Sequence, residues 1–133
     1  MSHENVELAR KAFEAYRIGG VEAGLMFFAP DTVSYTLLER HEEAIFRGRD
    51  GVRRIDAIWR QDLDGFVLEI HEIRDLDERV LLLGEMTGRA KANGAQVRRP
   101  IAAINSDFRG GMIGETRFFA SWQQAIEVLT QSG

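Results

Sequence analysis

The chain has 133 residues, 44% of them hydrophobic, enough for one domain with a substantial core and too few for two ordinary ones. Its 17 basic and 21 acidic residues give a net charge of -4, which speaks against a general nucleic-acid binder, and the clusters at Arg47, Arg49, Arg53, Arg54 and Arg60 and at Arg98 and Arg99 read as solvated faces. The absence of cysteine excludes disulfides, thiolate nucleophiles and Cys-ligated metal centres; no apolar run approaches the roughly 18 residues of a bilayer span, and Met1 to Val6 lacks the start of a secretory leader. The expectation is one cytoplasmic domain, residues 1–133, with no membrane contact.

The first half reads helical. Val6, Ala9, Phe13 and Tyr16 recur at helical spacing after Ser2 as a cap, and Gly19-Gly20 stops that helix. A short second helix is expected over Glu22 to Phe28, ending before Pro30. Asp31 then opens an extended stretch in which Val33, Tyr35 and Leu37 alternate with Ser34 and Thr36. The charged segment Glu39 to Glu43 reads as a loop, with His41 in it as a possible lid residue. Asp50 is the expected N-cap of a third helix running to about Leu63, closed by Gly65.

The second half reads as strands. Phe66, Leu68 and Ile70 alternate with Val67, Glu69 and His71, a turn falls at Asp75 to Glu78, and Val80 to Lys91 follows. Asn93-Gly94 signals a hairpin, Val97 to Phe108 returns to a turn at Arg109-Gly110-Gly111, and Met112 to Ala120 completes a four-strand meander. A last helix, Ser121 to Leu129, presents Trp122, Ala125, Ile126 and Leu129 on one side. Helices followed by an antiparallel meander make an α+β domain. Three short helices cannot cover such a sheet fully, and the gap is where a ligand would go.

Asp56 is the residue out of place. At roughly 100° per residue it falls inside the apolar stripe Val52, Ile55, Trp59, Leu63, beside Trp59 and Leu63. A carboxylate pointed at a core needs a partner, a proton or a polar visitor.

The order of elements, with "ENVELARKAFEAYRIGGVEAGLMFFAPDTV", "FRGRDGVRRI" and "PIAAINSDFRGGMIGETRFF", resembles the SnoaL-like branch of the nuclear transport factor two-like superfamily over nearly the whole chain. The resemblance implies a cone-shaped roll: a curved antiparallel sheet packed against N-terminal helices, a short C-terminal helix, and a pocket on the concave side. It implies a homodimer through the outer sheet face, where Ile101, Ala103, Ile113 and Phe119 would lie. Relatives include ketosteroid isomerases, polyketide cyclases, dehydratases and epoxide hydrolases as well as non-enzymatic binding modules. Carried over residue by residue, the isomerase phenol falls at Ala12, its general base at Thr36 and its protonated aspartate at Ala102, so that chemistry is disfavoured. The same resemblance points Leu83, Glu85, Thr87 and Arg89 inward with Ala102, Ile104, Thr116 and Phe118.

Asp56, Glu85 and Arg89 are therefore the constellation of interest, since two carboxylates in one apolar cavity push their pKa values apart. The plainer alternative is an ion pair of Asp56 with Arg89, or with Arg60 one turn on. Tyr16 would donate its hydroxyl or sit in the core with the hydroxyl on a backbone partner, while Trp59 and Phe118 would form a flat apolar wall. The catalytic candidates are thus Asp56, Glu85 and Tyr16; the ligand-binding ones are Thr36, Trp59, Leu83, Arg89, Ala102, Ile104 and Phe118. His3, His41 and His71 have no metal-ligand spacing, and no phosphate loop, serine elbow or zinc-hydrolase motif occurs, so neither metal nor cofactor is expected. The functional expectation is cofactor-independent acid-base chemistry on a small apolar or aromatic molecule. The alternatives are a binding or carrier module and a structural dimerisation protein.

Overall fold

Six strands and three helices make up the structure, a computed structural model that describes residues 2–37 and 43–131. Helix α1 (Ser2–Leu25) is broken at Gly20, whose φ of 80° leaves the helical region. The expected stop at Gly19-Gly20 is this break, and the helical segment expected beyond it ends at Leu25 instead of reaching Phe28. Phe28 already belongs to strand β1 (Phe28–Leu37), which pairs with β2 (Glu43–Arg47), a strand not expected from the sequence. His41 lies outside the described residues.

Helix α2 (Gly48–Gln61) starts earlier than expected. Arg47, not Asp50, occupies the N-cap, and Asp50 lies in the first turn, where a carboxylate complements the helix dipole and pairs with Arg53. Leu63 opens strand β3 (Leu63–Leu76), and Gly65, at φ 62°, sits at a register shift inside it. The meander then follows the expected turns. Strand β4 (Arg79–Ala90) follows a tight turn in which Asp77 takes φ 72°, and β5 (Gln96–Ser106) follows Asn93-Gly94, where Asn93 Oδ1 accepts from the Ala95 amide at 2.9 Å. Gly110 and Gly111, both at positive φ, lead to β6 (Ile113–Phe119), and the Ser121 hydroxyl caps α3 (Trp122–Gln131) at the Gln124 amide.

The strand order is β2-β1-β6-β5-β4-β3. All pairs are antiparallel except β1 with β6, which run parallel, so the expected antiparallel sheet is mixed at that one seam. One face of the sheet meets α1 and α2 and the other meets α3. Leu81, Leu83, Ala102, Ile104 and Phe119 pack with Ala125 of α3, while Val80 and Leu82 pack with Val6 and Ala9 of α1. Trp122 ties α3 down by donating its indole N–H to the Gly84 carbonyl at 2.9 Å.

This two-sided burial corrects the expected strand parity. In β4 the α1-facing residues are Val80 and Leu82, and register then puts Ala103 opposite Leu82 and Phe118 opposite Ala103 on that same face. Leu83 and Ile104 belong to the α3 side. A shift of one residue reverses every side chain of a strand, and β4 and β5 are reversed relative to expectation whereas β6 is as expected at Thr116, Phe118 and Phe119. The residues on which an apolar outer face rested are consequently inside the domain: Ile101 and Ile113 border the cavity on the α1 side, as does Ala103, and Phe119 packs beneath α3. No described helix is long and apolar enough to cross a membrane.

Candidate functional site

Between α1, α2 and the sheet lies a cavity of about 110 Å³. Helix α1 contributes Ala9, Phe13 and Tyr16, which share one stripe because they recur every three or four residues. Helix α2 contributes Val52, Ile55, Asp56 and Trp59 by the same spacing, and the sheet supplies Leu82, Ala103 and Phe118 as its floor. Trp59 stands edge-on to Phe118, with ring centroids 5.0 Å apart and planes at 90°, the orientation that aromatic quadrupoles favour.

Asp56 is 8% exposed and has two partners. The Tyr16 hydroxyl donates to its Oδ1 at 2.6 Å, and Arg60 Nε reaches Oδ1 at 3.1 Å and Oδ2 at 3.0 Å. Arg60 also donates to the Tyr16 oxygen at 3.3 Å, and its guanidinium lies 4.9 Å from the Phe66 ring centroid. Helical spacing explains the Asp56–Arg60 half of this cluster: residues four apart stand over one another. The Tyr16 half comes from the packing of α1 against α2. A carboxylate among apolar walls thus has its charge met by a guanidinium and its oxygen by a phenol.

Burial first, and then the Asp56 carboxylate it donates to, hold the Tyr16 phenol above its ordinary value of about 10. A raised pKa means the folded state favours the protonated phenol. Its stabilising contribution is complete below about pH 10 and is lost as pH rises through the folded value. Urea midpoints measured from pH 8 to 11.5 are therefore expected to fall more steeply for the wild type than for Tyr16→Phe, with the two curves converging at alkaline pH. Parallel curves would remove Tyr16 as the cause.

The other candidates disperse. Glu85 is not in the cavity: it shares the α3-side parity of Leu83, where its Oε1 meets His71 Nε2 at 2.9 Å and Arg98 Nη1 at 2.8 Å. His71 first and Arg98 next hold its carboxyl below the usual carboxylate range. The expected meeting of Asp56 with Glu85 does not occur, because β4 presents its even-numbered residues to α1 and its odd-numbered ones to the α3 side. Arg89 is exposed and donates to the Gly94 carbonyl at 3.3 Å, so it does not pair with Asp56. Thr36 is half-buried on β1 opposite Ala44, away from the cavity lining, and Leu83 and Ile104 belong to the α3-side core. Ala102 touches both that core and the cavity, and Trp59 and Phe118 are in the wall.

Sequence reasoning did not single out Phe13, Leu82 or Asn105 as cavity residues. Phe13 was findable, since it shares the stripe of Ala9 and Tyr16. Leu82 sits in the run Val80-Leu81-Leu82-Leu83, all buried, which carries no alternation to read. Asn105 gives no local signal at all.

Residues 9–116 match the model of the SnoaL-like domain. The chain belongs to the SnoaL-like domain family. Solved structures agree in fold. A protein of the nuclear transport factor two-like type, of unknown function, from Burkholderia pseudomallei superposes on this SnoaL-like domain with a TM-score of 0.73 at 18% identity, covering 96% of this chain and 98% of the other. TerC, co-crystallised with polyporic acid, gives 0.72 at 16% identity over 96% and 98% of the two chains. A protein with a ketosteroid isomerase-like fold from Catenulispora acidiphila, in complex with trimethylamine, gives 0.67 at 16% over 84% and 86%. No curated protein matches the chain by sequence. The fold of this SnoaL-like domain is consistent with small-molecule binding or with cyclase- or isomerase-type chemistry.

Proposed function

We propose that the protein binds a compact, largely apolar molecule in the cavity between α1, α2 and the sheet, with the ligand's polar group at the Tyr16–Asp56–Arg60 cluster. The observation that carries this reading is a cavity walled by Phe13, Val52, Ile55, Trp59, Leu82 and Phe118 with a single charged side chain, Asp56, at its edge. Burial of apolar surface supplies affinity, and one well-placed polar cluster supplies orientation. At about 110 Å³, below the roughly 150 Å³ of a dry engineered cavity that accepts benzene, the cavity limits the enclosed part of a ligand to about one ring. The trimethylamine and polyporic acid held by two structural neighbours support a small-molecule role.

A screen of phenols, cyclic ketones and other single-ring compounds at millimolar concentration, followed by amide and indole NMR shifts, is expected to move Trp59, Leu82 and Ala103 and to leave Leu83 largely in place. A library that moves none of the first three sinks the reading.

A second reading has one specific observation behind it. Asp56 Oδ2 is engaged by Arg60 alone, so that oxygen retains a lone pair with which to take a proton from a bound ligand. The Tyr16 proton is committed to Asp56, which makes Tyr16 a positioning group for the carboxylate. With a ligand in hand, conversion by the wild type that is lost in Asp56→Asn supports catalysis. Ligand recovered unchanged from the wild type supports binding alone.

A further inference from the structure

The cavity has a second polar feature, on the sheet and not on the helices that carry Tyr16 and Asp56. Ser34, Thr116 and Asn105 form a row across three adjacent strands, β1, β6 and β5, as paired neighbours in register. Partners in register share a face of the sheet. All three are almost wholly buried, at 1%, 2% and 5% exposure. Thr116 donates its hydroxyl proton to Asn105 Oδ1 at 3.0 Å, and both residues line the cavity. The row's remaining hydrogen-bonding capacity is unmet. Among the described residues the buried Ser34 hydroxyl has no partner, and Asn105, in the cavity lining, makes a side-chain hydrogen bond only through Oδ1. With Oδ1 paired to the Thr116 hydroxyl, the NH2 is the end left for whatever occupies the cavity.

An amide donor that opens on a cavity with no partner from the protein is met there by bound water or by a ligand. Position separates Asn105 from the Tyr16–Asp56–Arg60 cluster. Asn105 pairs with Val80, which packs against Val6 and Ala9, whereas the charged cluster stands at Tyr16. Ala9 and Tyr16 are seven residues apart on α1, about 10 Å along its axis.

We propose that Asn105, oriented by Thr116, is a second anchor that donates a hydrogen bond to a carbonyl or ether oxygen at the inner end of the ligand. The ligand class is then a single-ring molecule with an oxygen acceptor at one end and a polar group at the other. This rests on the reading of the cavity as a small-molecule site, and it adds the chemistry that the inner end selects.

The test compares acetophenone with α-methylstyrene, in which a methylene replaces the carbonyl oxygen at nearly constant shape, by NMR titration of the wild-type protein. Acetophenone is expected to bind about fivefold tighter, the factor that one net hydrogen bond gives. It should also shift the Asn105 side-chain NH2 signals, which α-methylstyrene should leave nearly unmoved. Asn105→Leu is expected to abolish the preference while preserving α-methylstyrene binding, and Thr116→Val, which removes the orienting hydroxyl with little change of shape, to reduce it. Equal affinities in the wild type, unmoved Asn105 NH2 signals or a preference that survives Asn105→Leu each overturn the anchor while leaving the cavity reading intact. Failure of both probes to shift Trp59 and Leu82 overturns the cavity reading and the anchor with it.

Discussion

Leu83→Ala is expected to destabilise the domain by about 2–5 kcal/mol while leaving affinity for a cavity ligand within about twofold of wild type. Leu83 has no exposed surface and is packed with Leu81, Ala102, Ile104 and Phe119 beneath Ala125 of α3. Truncation opens a void on that side of the sheet, and the walls of the ligand cavity are on the other. The loss is large beside the roughly 5–15 kcal/mol that holds such a domain together, so urea unfolding reads it directly. Leu82→Ala is the control. Leu82 is one residue away but faces α1, and its truncation should change ligand affinity as well as stability. A loss of ligand binding in Leu83→Ala at full folding would contradict the observed parity of β4.

Removal of the Asp56 carboxylate is the second large effect. Asp56→Ala strands the Tyr16 hydroxyl and the Arg60 guanidinium, which both point at it. Hydrogen bonds to a charged group contribute about 1.5–3 kcal/mol each when buried. The Arg60 side chain is 44% exposed and water screens its share, so the whole substitution is expected to cost about 2 kcal/mol. Asp56→Asn, which keeps an acceptor for Tyr16, should cost less. In a double-mutant cycle with Tyr16→Phe the two losses should fall short of additive by about 1 kcal/mol, because each removes the same hydrogen bond. Additive losses, or an Asp56→Ala variant within about 0.5 kcal/mol of wild type, would show that the cluster does not act as a unit.

Leu83 and Asp56 differ in how far the local sequence fixes their neighbours. The turns are legible because their chemistry is local: Gly94, Gly110 and Gly111 take backbone angles that few other residues tolerate, and the Asn93 side chain accepts from the Ala95 amide. Helix periodicity was legible for the same reason, and it placed Tyr16, Asp56 and Trp59 on the stripes that line the cavity. Strand parity was not. Val80 to Leu83 are all buried, since the sheet has helices on both faces, and without polar-apolar alternation either parity satisfies the pattern. The family resemblance then supplied a parity that was one residue off in β4 and β5. That single step moved Leu83, Glu85 and Ile104 into the cavity on paper and Leu82, Ala103 and Ile101 out of it. Strand β2 escaped notice because five residues, Glu43 to Arg47, carry too little pattern. The parallel seam of β1 with β6 joins segments some 80 residues apart, which no local signal announces.

The sequence by itself determined the α+β class, the meander and its turns, and the anomaly of Asp56 on an apolar stripe, because each depends on residues within a few positions of one another. Arg60, one turn away, was within its reach as a partner. Only the tertiary structure decided that Tyr16, 40 residues earlier, completes the cluster, that Glu85 faces the opposite side of the sheet, and that Ser34, Thr116 and Asn105 align across three strands. Those outcomes depend on helix docking and strand register, which are set by packing summed over the whole core. A side chain's nearest partner in space is a property of that sum, whereas its place on a stripe is a property of the chain around it.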